Sequence, residues 1–382
     1  MKTGLQNKKN VLHIVNDDKF IDGLINFLDS NKIDYVQNIF VNVNKEFFNH
    51  IKSSDRITLV KKADFLDFLR KANIDAVVLH SLYVLPFDII VGIPDNIKVF
   101  WVSWGYDVYW APNDRLFAPI RIGKLLHKET LKAVGKNSFI ENVRRVKPYL
   151  FYYSMLSCLF RKALHRIDYY SGILDVEYEL MAKNRFIKAK QFCWSYPISS
   201  DTIEAVCSEN IDLGSNILLG NSADTTNNHI DAIKVLSKYI TTQKVIIPLS
   251  YAGNDDYKKK VQEKAVEYLH DNVQFLLDFM PYNDYMKIIK SCSTCVFYHE
   301  RQQAMGNIYV ALIMGCVVYL SSTSVAYRYL KSKGYLVYTI QEDLAKNGLC
   351  FNLSAEQKQH NKQLFKSISD SNNFIQDFYN LL

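Results

Sequence analysis

The chain has 382 residues, of which 48% are apolar, 22% charged and 13% aromatic. At roughly 150 residues per domain this suits two or three globular domains, and it excludes a disordered chain, a collagen-like fibre or a coiled coil as the whole. The net charge of +7 is uneven: Arg115 to Arg166 carries 12 Lys and Arg against Glu129 and Glu141, a local +10 that leaves the rest at −3.

The first hundred residues alternate strand and helix. Asn10 to Val15 is a short apolar strand, followed by Asn16-Asp17-Asp18 and an amphipathic helix through Leu28. Asn38 to Val43, Ala76 to His80 and Val99 to Ser103 are further strands, and such β-branched runs between helical periods indicate a parallel sheet with crossover helices. No Gly-rich fingerprint follows the first strand, so a dinucleotide-binding reading fails. From about 111 to 170 the pattern turns helical, basic and aromatic, the composition of an interfacial element. The run Tyr149 to Phe160 falls short of the ~20 apolar residues that a membrane span needs, and the N-terminus has no signal-peptide pattern. A linker is expected over 196–215, and the domains over 1–195 and 216–382, the last helix packing back on the first domain. The second domain repeats the alternation, with strands at Asn216–Leu219, Lys244–Leu249, Val273–Leu277, Thr294–Tyr298 and Cys316–Leu320. Two doubly wound halves would place a ligand in a cleft between them, at the strands' C-terminal ends. Seven cysteines at no framework spacing indicate a reducing compartment. Cys292 and Cys295 read as two half-buried thiols at a helix-to-strand junction rather than a zinc site.

Three stretches carry chemistry. Gly220-Asn221-Ser222-Ala223-Asp224 and the residues to Asn228 join a buried strand to a helix, where Gly allows close backbone approach and free N–H groups favour an anion. Glu300-Arg301-Gln302-Gln303-Ala304-Met305-Gly306-Asn307 does the same after a later strand: Arg301 can pair with phosphate, the glutamines with phosphate or sugar, and the helix start adds partial positive charge. Trp104-Gly105-Tyr106-Asp107-Val108-Tyr109 offers aromatic faces and a carboxylate to a pyranose. Asp18, His80 and Asp107 are the candidate bases for an acceptor hydroxyl, with nothing in the sequence to choose among them. Neither Asp17-Asp18 nor Asp255-Asp256 has a third ligand at metal spacing, so no metal and no cofactor are expected.

These residues resemble the bacterial 4-acetamido-4,6-dideoxygalactose (Fuc4NAc) transferases of enterobacterial common antigen synthesis, also called 4-alpha-L-fucosyltransferases. The likeness is carried by Trp104-Gly105-x-Asp107-x-Tyr109, Gly220-Asn221-Ser222-x-Asp224, Asn228-His229-Ile230, Pro248 with Tyr251, and Arg301-Gln302-Gln303-x-x-Gly306, with Asp18 and His80 at matching places. The resemblance implies a GT-B glycosyltransferase of two Rossmann-like domains. It implies a dTDP-sugar donor at the C-terminal domain, held by Gly220, Asn221, Ser222, Asp224, Asn228, Pro248, Tyr251, Glu300, Arg301, Gln302, Gln303, Gly306 and Asn307. The acceptor would be a lipid-linked saccharide at Trp104 and Tyr109 of the N-terminal domain. The enzyme would be cytoplasmic, on the anionic inner face of the cytoplasmic membrane. Against the family pattern, Ala111 to Pro148 reads as an insertion, and Glu300 replaces a small residue. The competing expectations are a UDP- or GDP-sugar transferase and a non-catalytic sugar- or nucleotide-binding protein; nucleic acid is not an expected partner.

Overall fold

The computed structural model describes residues 8–18, 20–43, 47–109, 120, 125–134, 146–196, 211–349, 352–370 and 374–382, without the side chains of 146–154, 282 and 368–370. The core of the linker and most of 111–145 lie outside those residues. The chain divides into two compact units, one made of 1–121, 144–199 and 373–382, the other of 122–143 and 200–372.

In the first unit β1 (Lys9–Ile14), β2 (Val36–Asn42), β3 (Ile57–Leu59), β4 (Ala76–His80), β5 (Lys98–Val102), β6 (Tyr169–Ser171) and β7 (Lys190–Gln191) form a parallel sheet in the order 3-2-1-4-5-6-7. In the second, β8 (Asn216–Leu219), β9 (Val245–Pro248), β10 (Val273–Leu276), β11 (Cys292–Phe297), β12 (Val317–Leu320) and β13 (Tyr338–Thr339) form another, in the order 10-9-8-11-12-13. β4 and β8 have the predicted bounds, because continuous β-branched or leucine runs leave no other reading; β4 is buried at every position. The short strands β3, β6, β7 and β13, of two or three residues, have no such run to announce them.

Each sheet reverses its strand order once, between β1 and β4 and between β8 and β11. The carboxyl ends of strands flanking such a reversal open a crevice in which α/β folds bind their ligands. Asn16 to Asp18 and His80–Ser81 occupy that place in the first unit. Gly220–Ser222 and Tyr298–Gln303 occupy it in the second.

The units differ from the expected domain bounds over 122–143. The helix Lys128–Val134 belongs to the second unit, because its N-terminus is capped by that unit's side chains. Asp231 accepts from Glu129 N (3.0 Å) and Thr130 N (2.7 Å), and Asn228 Oδ1 from His127 N (2.8 Å). A carboxylate there satisfies the N–H groups that a helix start leaves open. The closing helix Phe374–Asn380 belongs to the first unit: Phe378, fully buried, meets Phe100 and Trp194 edge-on at 5.0 and 5.2 Å, and Phe374 stacks on Phe27 at 5.2 Å. Burying one such ring stabilises the unit by about 1.5–3 kcal/mol.

Asp17 and the pair Asp255–Asp256 are structural. Asp17 gathers the backbone N–H groups of Asn49, His50 and Ile51 at 2.7–3.1 Å. Asp255 and Asp256 fill the first turn of the helix Asp255–Leu269, which Asn254 caps. The cysteine expectation needs correction. Cys292 and Cys295 both lie on β11 and are fully buried, because the strand begins two residues earlier than its apolar pattern suggests.

Candidate functional site

The second unit brings its two loops into one hydrogen-bonded network. Gly220, at φ +72°, turns the chain after β8; a Cβ there would stand 2.9 Å from His229 Nε2, so only glycine fits. Asn221 donates to the Tyr251 hydroxyl (2.9 Å) and accepts from Gln303 Nε2 (3.1 Å). The Thr226 hydroxyl stands between Asp224 Oδ1 (2.6 Å) and Gln303 Oε1 (2.7 Å), and accepts from Arg301 Nε (3.2 Å). Arg301 also donates to Gln302 O (3.1 Å) and reaches Asp224 Oδ2 at 3.5 Å. Ser222 takes Asn227 Nδ2 at 3.3 Å.

Arg301 is 9% exposed and Gln303 7%. The more exposed Asp224 pairs with that guanidinium at 3.5 Å. A cation held largely out of water, mainly by neutral oxygens, is poised for an anion with better geometry. Directly after it, Ala304 at φ +57° turns the chain into the helix Met305–Met314. Gly306 lies in the first turn, exposed, where an added Cβ would meet nothing within 4 Å, and Asn307 donates to the Tyr285 hydroxyl (3.2 Å). The arrangement is an open helix start beside a half-sequestered guanidinium, which suits a diphosphate.

Three of the expected donor residues are instead spent on the framework. Asn228, fully buried at φ +53°, gives its amide to Leu125 O, Thr226 O and Tyr298 O. Glu300 accepts from His127 Nε2 (2.7 Å), Ser321 Oγ (2.6 Å) and Thr323 Oγ1 (2.8 Å). Burial opposes ionisation of Glu300, but these hydrogen bonds outweigh it and hold its carboxyl below the usual value. Pro248 closes β9 inside the sheet, and Tyr251 beyond it is 45% exposed.

In the first unit the candidate bases diverge. Asp107 is fully buried and accepts from Leu82 N (2.7 Å), Trp101 Nε1 (2.9 Å) and Trp104 N (2.8 Å). Burial raises its pKa despite these bonds. Such a carboxylate organises its loop and has no face open to a substrate hydroxyl. His80, 1% exposed, is bonded through both nitrogens, to His13 Nδ1 (3.1 Å) and the Tyr196 hydroxyl (2.5 Å); burial first, then His13, pushes its pKa down. Asp18 stays partly exposed, close enough to Tyr106 and Tyr196 to disfavour their ionisation. Tyr109 departs from its expected place: it is 3% exposed, with its hydroxyl on Glu177 (2.7 Å), while Trp104 is half-buried at the rim.

Sequence reading missed Thr226, His127, His13, Tyr106 and Tyr196. Thr226 sat in a recognised loop without a role. His13 could have been found once β1 and β4 are known neighbours: it pairs with Val78, two positions before His80 on the same face.

Comparison with known proteins places this geometry. A glycosyltransferase from Rickettsia africae ESF-5 aligns over 94% of both chains with a TM-score of 0.59 and 13% identity. OtsA in its apo form aligns over 95% of this chain and 96% of its own, at 0.62 and 10%. A trehalose-6-phosphate protein from E. coli, solved with UDP-2-fluoro glucose, aligns over 96% of both, at 0.62 and 9%. At such identities the likeness establishes the fold, the GT-B class. The profile of the family described as 4-alpha-L-fucosyltransferase, glycosyl transferase group 56, matches residues 111–378. It runs through 111–148, so that stretch is family sequence rather than an insertion. It stops short of Asp18, His80 and Trp104 to Tyr109. Matching well over half of the residues and ending beyond both loops of the network, it shows that this chain belongs to the group 56 4-alpha-L-fucosyltransferase family and is a glycosyltransferase.

Proposed function

We propose that the protein transfers a deoxy-amino sugar of the Fuc4NAc type from a dTDP-sugar to a lipid-linked saccharide in bacterial surface-polysaccharide synthesis. The single observation that carries the reading is the joined pair of loops in the second unit, with Arg301 turned among neutral oxygens beside an open helix start. In this reading Arg301 and the first turn at Gly306 and Asn307 take the diphosphate. Gly220, Asn221, Ser222 and Asp224 wall it on the other side, and Gln302, Gln303 and Tyr251 meet base or sugar. Asn228, Pro248 and Glu300 hold the framework. As the acceptor oxygen bonds to the anomeric carbon, the bond to phosphate breaks and the nucleoside diphosphate leaves with the electron pair. Its charge is met by groups already in place, which lowers the barrier without reorganisation.

The acceptor belongs to the first unit in this reading, and its proton passes to Asp18. The bonding of Asp107 and His80 supports that choice by occupying both alternatives. Contact with an anionic membrane face is supported by the helix Val146–Arg166, whose last turns carry the exposed Arg161 and Lys162. No described helix is long and apolar enough to cross a membrane.

The test is calorimetric titration of dTDP, UDP and GDP, with and without divalent metal. Tightest binding of dTDP, indifferent to metal, is expected, with Arg301→Ala weakening it tenfold or more, on the scale of one lost charge-assisted pair. Tighter binding of UDP or GDP transfers the reading to that donor. No binding of any nucleotide refutes the site.

A further inference from the structure

One continuous chain of hydrogen bonds crosses the first unit from Trp104 to Tyr379. Trp104 Nε1 can only donate, and it meets the Tyr196 hydroxyl at 2.7 Å. With the Tyr196 proton directed to His80 Nδ1, the His80 proton sits on Nε2, facing His13 Nδ1 at 3.1 Å. His13 in turn donates from Nε2 to Asn38 Oδ1 (3.1 Å), and Asn38 Nδ2 donates to the Tyr379 hydroxyl (3.1 Å). All five links then run one way with both imidazoles neutral: a second proton on His13 would face the His80 N–H, and one on His80 would face the Tyr196 O–H. Burial enforces this: His13 is held down to about 4.

A buried polar chain of this length is costly unless complete, and once complete it is rigid. What it fixes is one indole. Against that indole, and two residues along the chain from it, stand rings which the fold leaves open to water. Phe20, 46% exposed, meets Trp104 edge-on at 5.9 Å, and Tyr106 is 38% exposed. Tyr106 is pinned as well, its hydroxyl donating to Ser81 Oγ at 2.8 Å. Ser81 sits at φ +97°, a strained conformation for a non-glycine residue, of the kind that collects at binding sites. These rings border the strand-order reversal of the first sheet, with Asp18 beside Tyr106.

We infer that Phe20, Trp104 and Tyr106 form a stacking platform for a pyranose ring, and that Tyr196 is the positioning residue that holds it. Aromatic faces take the ring's C–H side, while Asp18 at the edge takes hydroxyls. Phe20 and Tyr106 thereby join Trp104 as acceptor-side residues; this rests on the acceptor reading above.

Saturation-transfer NMR with millimolar methyl hexopyranosides and methyl N-acetylhexosaminides tests it, independently of any nucleotide. Transfer from aromatic protons to ring C–H protons is expected in the wild type. It should fall about fivefold in Phe20→Ala and Trp104→Ala, the scale of one lost ring contact. Phe20 is exposed, so that variant keeps its fold. Tyr196→Phe keeps the ring but frees the indole N–H, and should weaken transfer while nucleoside diphosphate affinity stays unchanged. No transfer from any pyranoside overturns the platform, and so does equal transfer in wild type and Phe20→Ala. Unchanged transfer in Tyr196→Phe overturns the positioning role. Failure of nucleotide binding alone would overturn the donor reading and leave the platform's own result standing.

Discussion

The two units place polar residues at the same topological position and use them differently. In the second, Asn221, Asp224, Thr226, Arg301 and Gln303 bond mostly to one another, loop to loop. In the first, Asp107 bonds to two backbone N–H groups and an indole, and His80 to a second imidazole. A side chain that satisfies its own backbone has finished its work when the chain folds. Side chains that bridge two loops through neutral oxygens keep capacity for a ligand. Position after a buried strand does not separate these cases, but the identity of the partners does.

The largest effect expected treats both units alike. His13, His229 and His299 are held down to about 4, foremost by burial, and His80 lies well below its ordinary value. The unfolded chain binds these protons near pH 6.5, whereas the folded chain does not until about pH 4. The stability present above pH 6.5 is therefore lost as the pH falls, at up to about 1.4 kcal/mol per pH unit for each histidine. Urea midpoints should drop steeply between pH 7.5 and 5.0, and a flat midpoint would refute neutral buried histidines in both units.

A smaller effect separates the units. Asp107→Ala strands three buried donors, each costing on the order of 1–3 kcal/mol, so the protein should be strongly destabilised. Retained stability with abolished turnover would instead make Asp107 catalytic and erase the contrast. The smallest effect sharpens the other side. Gly306→Ala meets no atom and should leave the helix as stable or up to about 1 kcal/mol more so, while weakening nucleoside diphosphate binding by crowding the phosphate. Unchanged affinity in that variant would move the diphosphate away from this turn.

Much of the architecture was legible because it rests on local patterns. β4, β8 and the helix Tyr282–Lys290 coincide with their apolar periods, and the strand-then-polar-loop rhythm located both donor loops. What escaped depends on pairing across long separations. Nothing near His127 signals that Asn228 and Glu300 hold its segment a hundred and more residues away. Asp107 looked like a ligand because an acid beside tryptophans suits a sugar; three inward donors are invisible without coordinates. The local excess of positive charge indicated phosphate but not which helix would bear it.

The closing helix also sets an order of events. As the chain leaves the ribosome, all strands of the first sheet precede those of the second, yet Phe374 and Phe378 are made after both. Phe27, Phe100 and Trp194 therefore wait uncovered while the whole second unit is synthesised, and Asn38 waits for Tyr379 to end its polar chain. The nascent first unit is the stage at which this protein is most exposed to chaperones, and it matures only after its neighbour has been made.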